Sequence, residues 1–133
     1  MVIDKELIER LFKQAKENPR KRVNCDMRTS PEDGSQRMLN AMLPRTEVAV
    51  HRHPNSNENV ILITGRMDEV LYEEVNGRLV EKERFHLCPT EGRYGCQVPK
   101  GVWHTVEVIE PSVIYEAKDG KYGEDGSEMY EMK

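Results

Sequence analysis

The apolar positions of the chain change period once, near its start. Ile3, Leu7, Ile8, Leu11, Phe12 and Ala15 fall on one stripe at helical spacing, with lysines and glutamates opposite. Asp4 is placed to cap this helix, and Asn18-Pro19 ends it. The helix is expected to cover a sheet face or a subunit partner. Residues 20–36 are polar and punctuated by Ser30-Pro31 and Asp33-Gly34, so they are read as loop. Gln36 to Leu43 has mixed period and suits either a helical turn or a strand. From Thr46 onward the alternation is that of strands: Thr46, Val48 and Val50 against Glu47, Ala49 and His51. Val60 to Thr64 is a continuous apolar run, Gly65-Arg66 a tight corner, and Met67 to Val75 a further strand. Asn76-Gly77 signals a two-residue hairpin turn, with Arg78 to Leu87 as its return strand. Pro89 to Gly95 is a loop, and Gln97-Val98 leads into the Pro99-Lys100-Gly101 turn. Val102 to Ile109 alternates again, Pro111 breaks it, and Val113 to Lys118 is a last strand before a polar tail. About eight short strands joined by Gly, Pro and Asn turns imply an all-β fold, a small antiparallel barrel or jelly roll, behind an N-terminal α-helix. Residues 1–19 are the helix; residues 20–133 form one domain with a short polar C-terminal tail.

The strand parity has chemical content. Side chains at i and i+2 share a face, so His51 and His53 point together while Arg52 points away. The polar bend from Pro54 to Asn57 swings Glu58 back toward that face. His104, with Val106 and Val108, faces inward from a later strand. Three imidazoles and a carboxylate make a usual donor set for a divalent ion, with iron, manganese, nickel, zinc and copper all compatible. Positions left open on the ion mark a ligand-exchanging site rather than a closed structural one. His86 fits no ligand spacing and is read as surface or structural. Glu116 in the last strand is a candidate base. Arg37 and Asn40 are candidates for holding a ligand, Arg37 as a clamp for a carboxylate or phosphate. Tyr122 could lid the cavity mouth. Trp103 is expected in a sheet or subunit core.

Composition narrows the partners. The chain has 133 residues, 33% of them charged, and a net charge of −4, which offers no broad basic face to nucleic acid. The triplet Arg20-Lys21-Arg22 is read as solvated surface. No segment approaches the roughly 20 apolar residues that span a bilayer, and the start carries no signal-peptide core. Cys25, Cys88 and Cys96 are an odd count without close spacing, read as free thiols in a cytoplasmic protein.

The histidine spacing resembles the cupin superfamily. Its first motif is matched by His51-Arg52-His53, four residues, Glu58, six residues, Gly65, with Arg45 where the leading glycine would stand. Its second is matched by Pro99-Lys100-Gly101, two residues, His104, with Val108 in place of the usual Asn. The resemblance implies His51, His53, Glu58 and His104 as ligands to one divalent metal ion, Fe, Mn, Ni or Zn. Gln36 to Ala41, His51 to Pro54, Leu62 to Arg66, Pro99 to Thr105 and Tyr115 to Tyr122 also resemble the WbuC-type cupin fold metalloproteins associated with bacterial surface polysaccharide biosynthesis. That implies a small-molecule ligand, carbohydrate-like or carboxylate-bearing, such as a sugar or nucleotide-sugar. Isomerase-, epimerase-, oxygenase- or hydrolase-like chemistry would all suit the site. A non-catalytic metal-containing carbohydrate-binding or sensor module is the alternative. A homodimer is expected, since small cupin barrels often pair sheets.

Overall fold

The computed structural model describes residues 1–120 and 126–131. Helix α1 (Lys5–Glu17) begins where Asp4 accepts a hydrogen bond from the Leu7 N–H at 2.9 Å, satisfying one of the donors a helix start leaves open. Its buried stripe of Leu7, Leu11 and Ala15 lies on strands β1 (Arg22–Asp26) and β2 (Ser35–Met42). Leu39, Ala41 and Val113 come up from the sheet to meet it.

Strand β1 lies inside the segment read as loop. Val23 and Cys25 pack toward the helix, and β1 pairs antiparallel with β2 from Arg22↔Met42 to Asp26↔Met38. Two apolar residues in a polar stretch are too few to show a period, so only the neighbouring strand makes this one. Gln36 to Met42 resolves as strand, and Leu43 lies just past its end. By contrast, the alternating residues 46–50 carry no ladder, and β3 is only His51–Arg52.

Two long strands carry the rest: β4 (Glu58–Val75) and β7 (Trp103–Asp119), paired antiparallel from Glu58↔Lys118 to Tyr72↔Trp103. The corner expected at Gly65-Arg66 and the break expected at Pro111 are both bends inside continuous strands. The ladder shifts register between Leu62 and Met67, which absorbs the proline and glycine opposite each other without ending either strand. Gly65 has φ +111°, and a Cβ there would collide with the Pro111 carbonyl and Ser112. Beyond it, β5 (Arg78–Leu87) returns through Asn76-Gly77, whose φ values of 52° and 76° are those of the expected hairpin turn. Strand β6 (Gly95–Val98) pairs with the start of β4, and β8 (Glu128–Met129), in the segment read as tail, pairs with β3.

The result is an N-terminal helix on a curled antiparallel sheet, the cupin jelly roll. One side of β2 (Leu39, Ala41) meets the helix; the other (Gln36, Met38, Asn40, Met42) faces a cavity. Met42 and Ile114 line the cavity and belong to an apolar cluster with Val60, Leu62, Met67 and Leu87, against which Val108 packs. Val108 thus stands as a hydrophobic contact where the motif usually has Asn. Arg45, standing for the motif's glycine, has φ +76°, the left-handed conformation a glycine takes freely.

Substitutions at these two positions should act in opposite senses. Gly65→Ala should destabilise the protein by about 1–3 kcal/mol. Arg45→Gly should be neutral or stabilise it by up to about 1 kcal/mol. Urea unfolding midpoints check both, and a stabilising Gly65→Ala would contradict the close approach of β4 to Pro111.

Candidate metal centre

Strands β1, β2, β3, β4 and β7 deliver most of the polar residues of the cavity. His51 and His104 are directly cross-strand, β3 against β7. The turn before His104 is fastened to the other histidine of the pair: the Gly101 N–H donates to the His53 carbonyl at 2.9 Å. Gly101, at φ +78°, supplies the conformation that turn requires. The imidazole centroids lie 4.2 Å (His51–His104), 5.1 Å (His51–His53) and 5.2 Å (His53–His104) apart.

Each ring is held through Nδ1. His51 Nδ1 is 2.9 Å from the Ala49 carbonyl and His104 Nδ1 is 2.9 Å from the Val102 carbonyl. A carbonyl only accepts, so both nitrogens carry hydrogen and both Nε2 atoms are left with their lone pairs. His53 Nδ1 meets the Ser127 hydroxyl at 2.7 Å, and its Nε2 is 2.8 Å from Glu58 Oε2. The donor atoms of His51, His53 and His104 lie within 4.8 Å of one another, as do those of Glu58, Glu69 and His104. His104 Nε2 is buried without a hydrogen-bond partner among the described residues. Buried polar atoms are rarely left so unless a bound water or ion satisfies them. Orphaned nitrogen, fixed tautomers and mixed nitrogen and oxygen donors together fit a single divalent ion.

The electrostatics agree. Burial, and then His51 nearby, lower the His104 pKa to about 4, and burial likewise lowers that of His51. Both are neutral imidazoles at pH 7, the form that binds metal. Burial raises the Glu58 carboxyl, but the contact with His53 and the surrounding imidazoles outweigh it and bring the pKa below its ordinary value. Glu58 is therefore an anion ready to ligate. Glu116 is different: burial, with Glu58 facing it, raises its pKa to about 8. Asn40 Nδ2 donates to Glu116 Oε1 at 3.0 Å.

Of the residues expected to act here, His51, His53, Glu58, His104, Glu116 and Asn40 all line one cavity of about 420 Å³. Arg37 does not. It projects from the helix side of β2 and pairs with Asp33 at 2.6 Å. Tyr122 lies outside the described residues. Trp103 faces away from the cavity lining, with the Arg52 guanidinium 4.3 Å over its ring and Tyr130 against its edge. His86 is bound to Asp68 at 2.7 Å, a structural pair.

The strand periodicity hides five further participants. Glu69, fully buried, lines the cavity because the register shift in β4 reverses the strand's parity after Leu62. Ser127 and Met129 reach it from the tail through β8, and Arg20 and Arg22 from the basic triplet also line it. The triplet's clustered charge was the one visible signal for these.

His104→Ala should abolish stoichiometric binding of a divalent ion, and Ser127→Ala should weaken it by about 10- to 100-fold through loss of ring orientation. Metal content after dialysis and calorimetric titration check this; an unchanged affinity in Ser127→Ala would remove the hydroxyl from the centre.

Comparison with known proteins places the fold. A protein from Thermus thermophilus, TT1209, superposes with TM-score 0.63 at 22% identity, covering 90% of this chain and 98% of that one. Oxalate oxidase in complex with the substrate analogue glycolate gives 0.62 at 11% identity, over 84% of this chain. CapF with the inhibitor 3-isopropenyl-tropolone gives 0.60 at 17% identity, over 81%. The chain spans only 56% of the oxalate oxidase chain and 31% of CapF. At these identities the likeness is one of fold. No curated protein matches the sequence. The family described as Domain of unknown function (DUF6016) matches residues 3–85, a stretch holding His51, His53, Glu58 and Glu69 but ending before His104. The chain has a His/Glu cluster positioned to chelate one divalent ion on a cupin fold, and it belongs to the DUF6016 family.

Proposed function

We propose that this protein is a mononuclear metal-dependent enzyme acting on a small anionic, carbohydrate-like metabolite, with a sugar acid or sugar phosphate as the chemical class. One observation carries the reading: a single cavity of about 420 Å³ has the His/Glu cluster in one part of its lining and Arg20, Arg22 and Lys118 elsewhere in it. The volume falls within the usual range for small-ligand sites of about 300–1,000 Å³. The resemblance of five stretches to the WbuC-type proteins supports the sugar class and a place in surface polysaccharide synthesis.

The residues divide the work. His51, His53, Glu58 and His104 would hold the ion, which supplies Lewis-acid polarisation of a ligand oxygen. Arg20 and Arg22 meet the ligand's anionic group, and Arg22 is itself aimed by donating from Nη1 to the Glu47 carbonyl at 2.6 Å. Glu116 holds a proton at neutral pH. Because Oε1 accepts from Asn40, that proton resides on Oε2, where it can pass to or from the bound molecule. Movement of one proton beside a polarised carbonyl is isomerase- or epimerase-like chemistry.

A homodimer in the cytoplasm belongs to the same proposal. Ile61, Tyr94 and Ile109 are large apolar residues exposed on the surface, and the three cysteines are free thiols.

Incubating metal-loaded protein with a panel of sugar acids and sugar phosphates, followed by NMR, tests the reading. Solvent deuterium should enter the product and Glu116→Gln should stop it. Arg22→Met should weaken ligand binding by about 10- to 100-fold and leave metal content unchanged. Saturable binding without any conversion would instead identify a sensor or binding module, and neither binding nor conversion would end the sugar reading.

A further inference from the structure

Glu69 is 1% exposed, and its Oε2 has no hydrogen-bond partner among the described residues. Leaving a buried carboxylate oxygen unsatisfied is costly, and here the cost is compounded. Glu58 and Glu116 face the same cavity, so three acidic side chains share it. Nothing in the packing calls for an acid here: Val60, Leu62 and Met67 precede it on the same face of β4.

The arrangement around His104 indicates what compensates. The donor atoms of Glu58, Glu69 and His104 lie within 4.8 Å of one another, and so do those of His51, His53 and His104. Opposite ligands on one ion with bonds of about 2.1 Å stand about 4.2 Å apart, so both triads have roughly the dimensions of one coordination sphere. They share His104. Its Nδ1 is committed to the Val102 carbonyl, which leaves Nε2 as its only donor. One imidazole lone pair binds one ion. An ion bound at that nitrogen is therefore common to both triads.

We propose that Glu69 is a fifth protein ligand of the metal centre, completing a set of three imidazole nitrogens and two carboxylates and leaving one position of a six-coordinate ion for an exogenous oxygen ligand. The inference rests on the metal reading above and adds two consequences to it. A second carboxylate hardens the donor set, favouring manganese or iron(II) over zinc or copper. A single open position admits one oxygen of the substrate, not a chelating pair, so the rest of the molecule is held by the protein's own cations.

The test needs no substrate. Wild-type protein, Glu69→Gln and Glu69→Leu are loaded with Co²⁺ for visible absorption, then titrated separately with Mn²⁺ and Zn²⁺. Both substitutions remove a buried acid, so folded apo-proteins are expected; if Glu69→Leu does not fold, Glu69→Gln carries the comparison. The wild-type Co²⁺ spectrum should be the weak one of six-coordination and should intensify in the variants as a ligand is lost. Mn²⁺ affinity should fall by about tenfold or more, and Zn²⁺ affinity by less. Spectra of folded variants that superimpose on the wild type overturn the assignment while the metal reading stands. Wild-type protein that binds none of the three ions overturns both.

Discussion

Each imidazole of the centre is held at Nδ1 by an oxygen outside the cluster, and this constraint sets what the surrounding structure must do. Two of the three oxygens are backbone carbonyls two residues upstream of the ring they hold, Ala49 for His51 and Val102 for His104. Ring orientation is thus written into the local chain path and needs no distant side chain. The short pairing of β3 with β7 brings these two local units face to face, and the Gly101-to-His53 hydrogen bond ties the second motif to the first. Once the rings are aimed, His53 Nε2 meets Glu58, while His104 Nε2 has no partner among the described residues.

A wall of apolar side chains gives this geometry its electrostatic force. Met38, Met42, Val106 and Ile114 line the cavity, and burial against such side chains makes imidazolium unfavourable and lets neutral rings persist. The same burial separates the carboxylates. Glu58, beside three imidazoles, is lowered; Glu116, buried and facing the Glu58 charge, is raised. Three glutamates in one cavity are given different proton affinities by their neighbours, and that division lets one hold an ion while another carries a proton.

How much of this was legible in the sequence followed from strand parity. His51, His53 and His104 could be assigned to one interior because the two-residue period holds from β3 and through the first half of β7. Glu69 could not. Counting by twos from Glu58 puts Asp68 inside and Glu69 outside, and only the register shift around Gly65 reverses them. Arg37 had no readable direction because the period of its segment is mixed; the pairing of β2 with β1 and β7 turns it toward the helix. The β1 strand and the cavity-facing Ser127 were invisible for a related reason, since each gains its conformation from a partner strand far away in sequence. Local pattern revealed the elements that build themselves, and missed those that are made by pairing.

Trp103 is the protein's single tryptophan, one residue before His104 on β7. Its ring is capped by Arg52, the residue between His51 and His53, and is edged by Tyr130 from the segment that brings Ser127 to His53. The indole therefore touches the outward side of every backbone segment that carries an imidazole, yet stays out of the cavity itself. The fold has set a natural fluorophore behind the centre, where it senses the alignment of those segments without meeting the ligand.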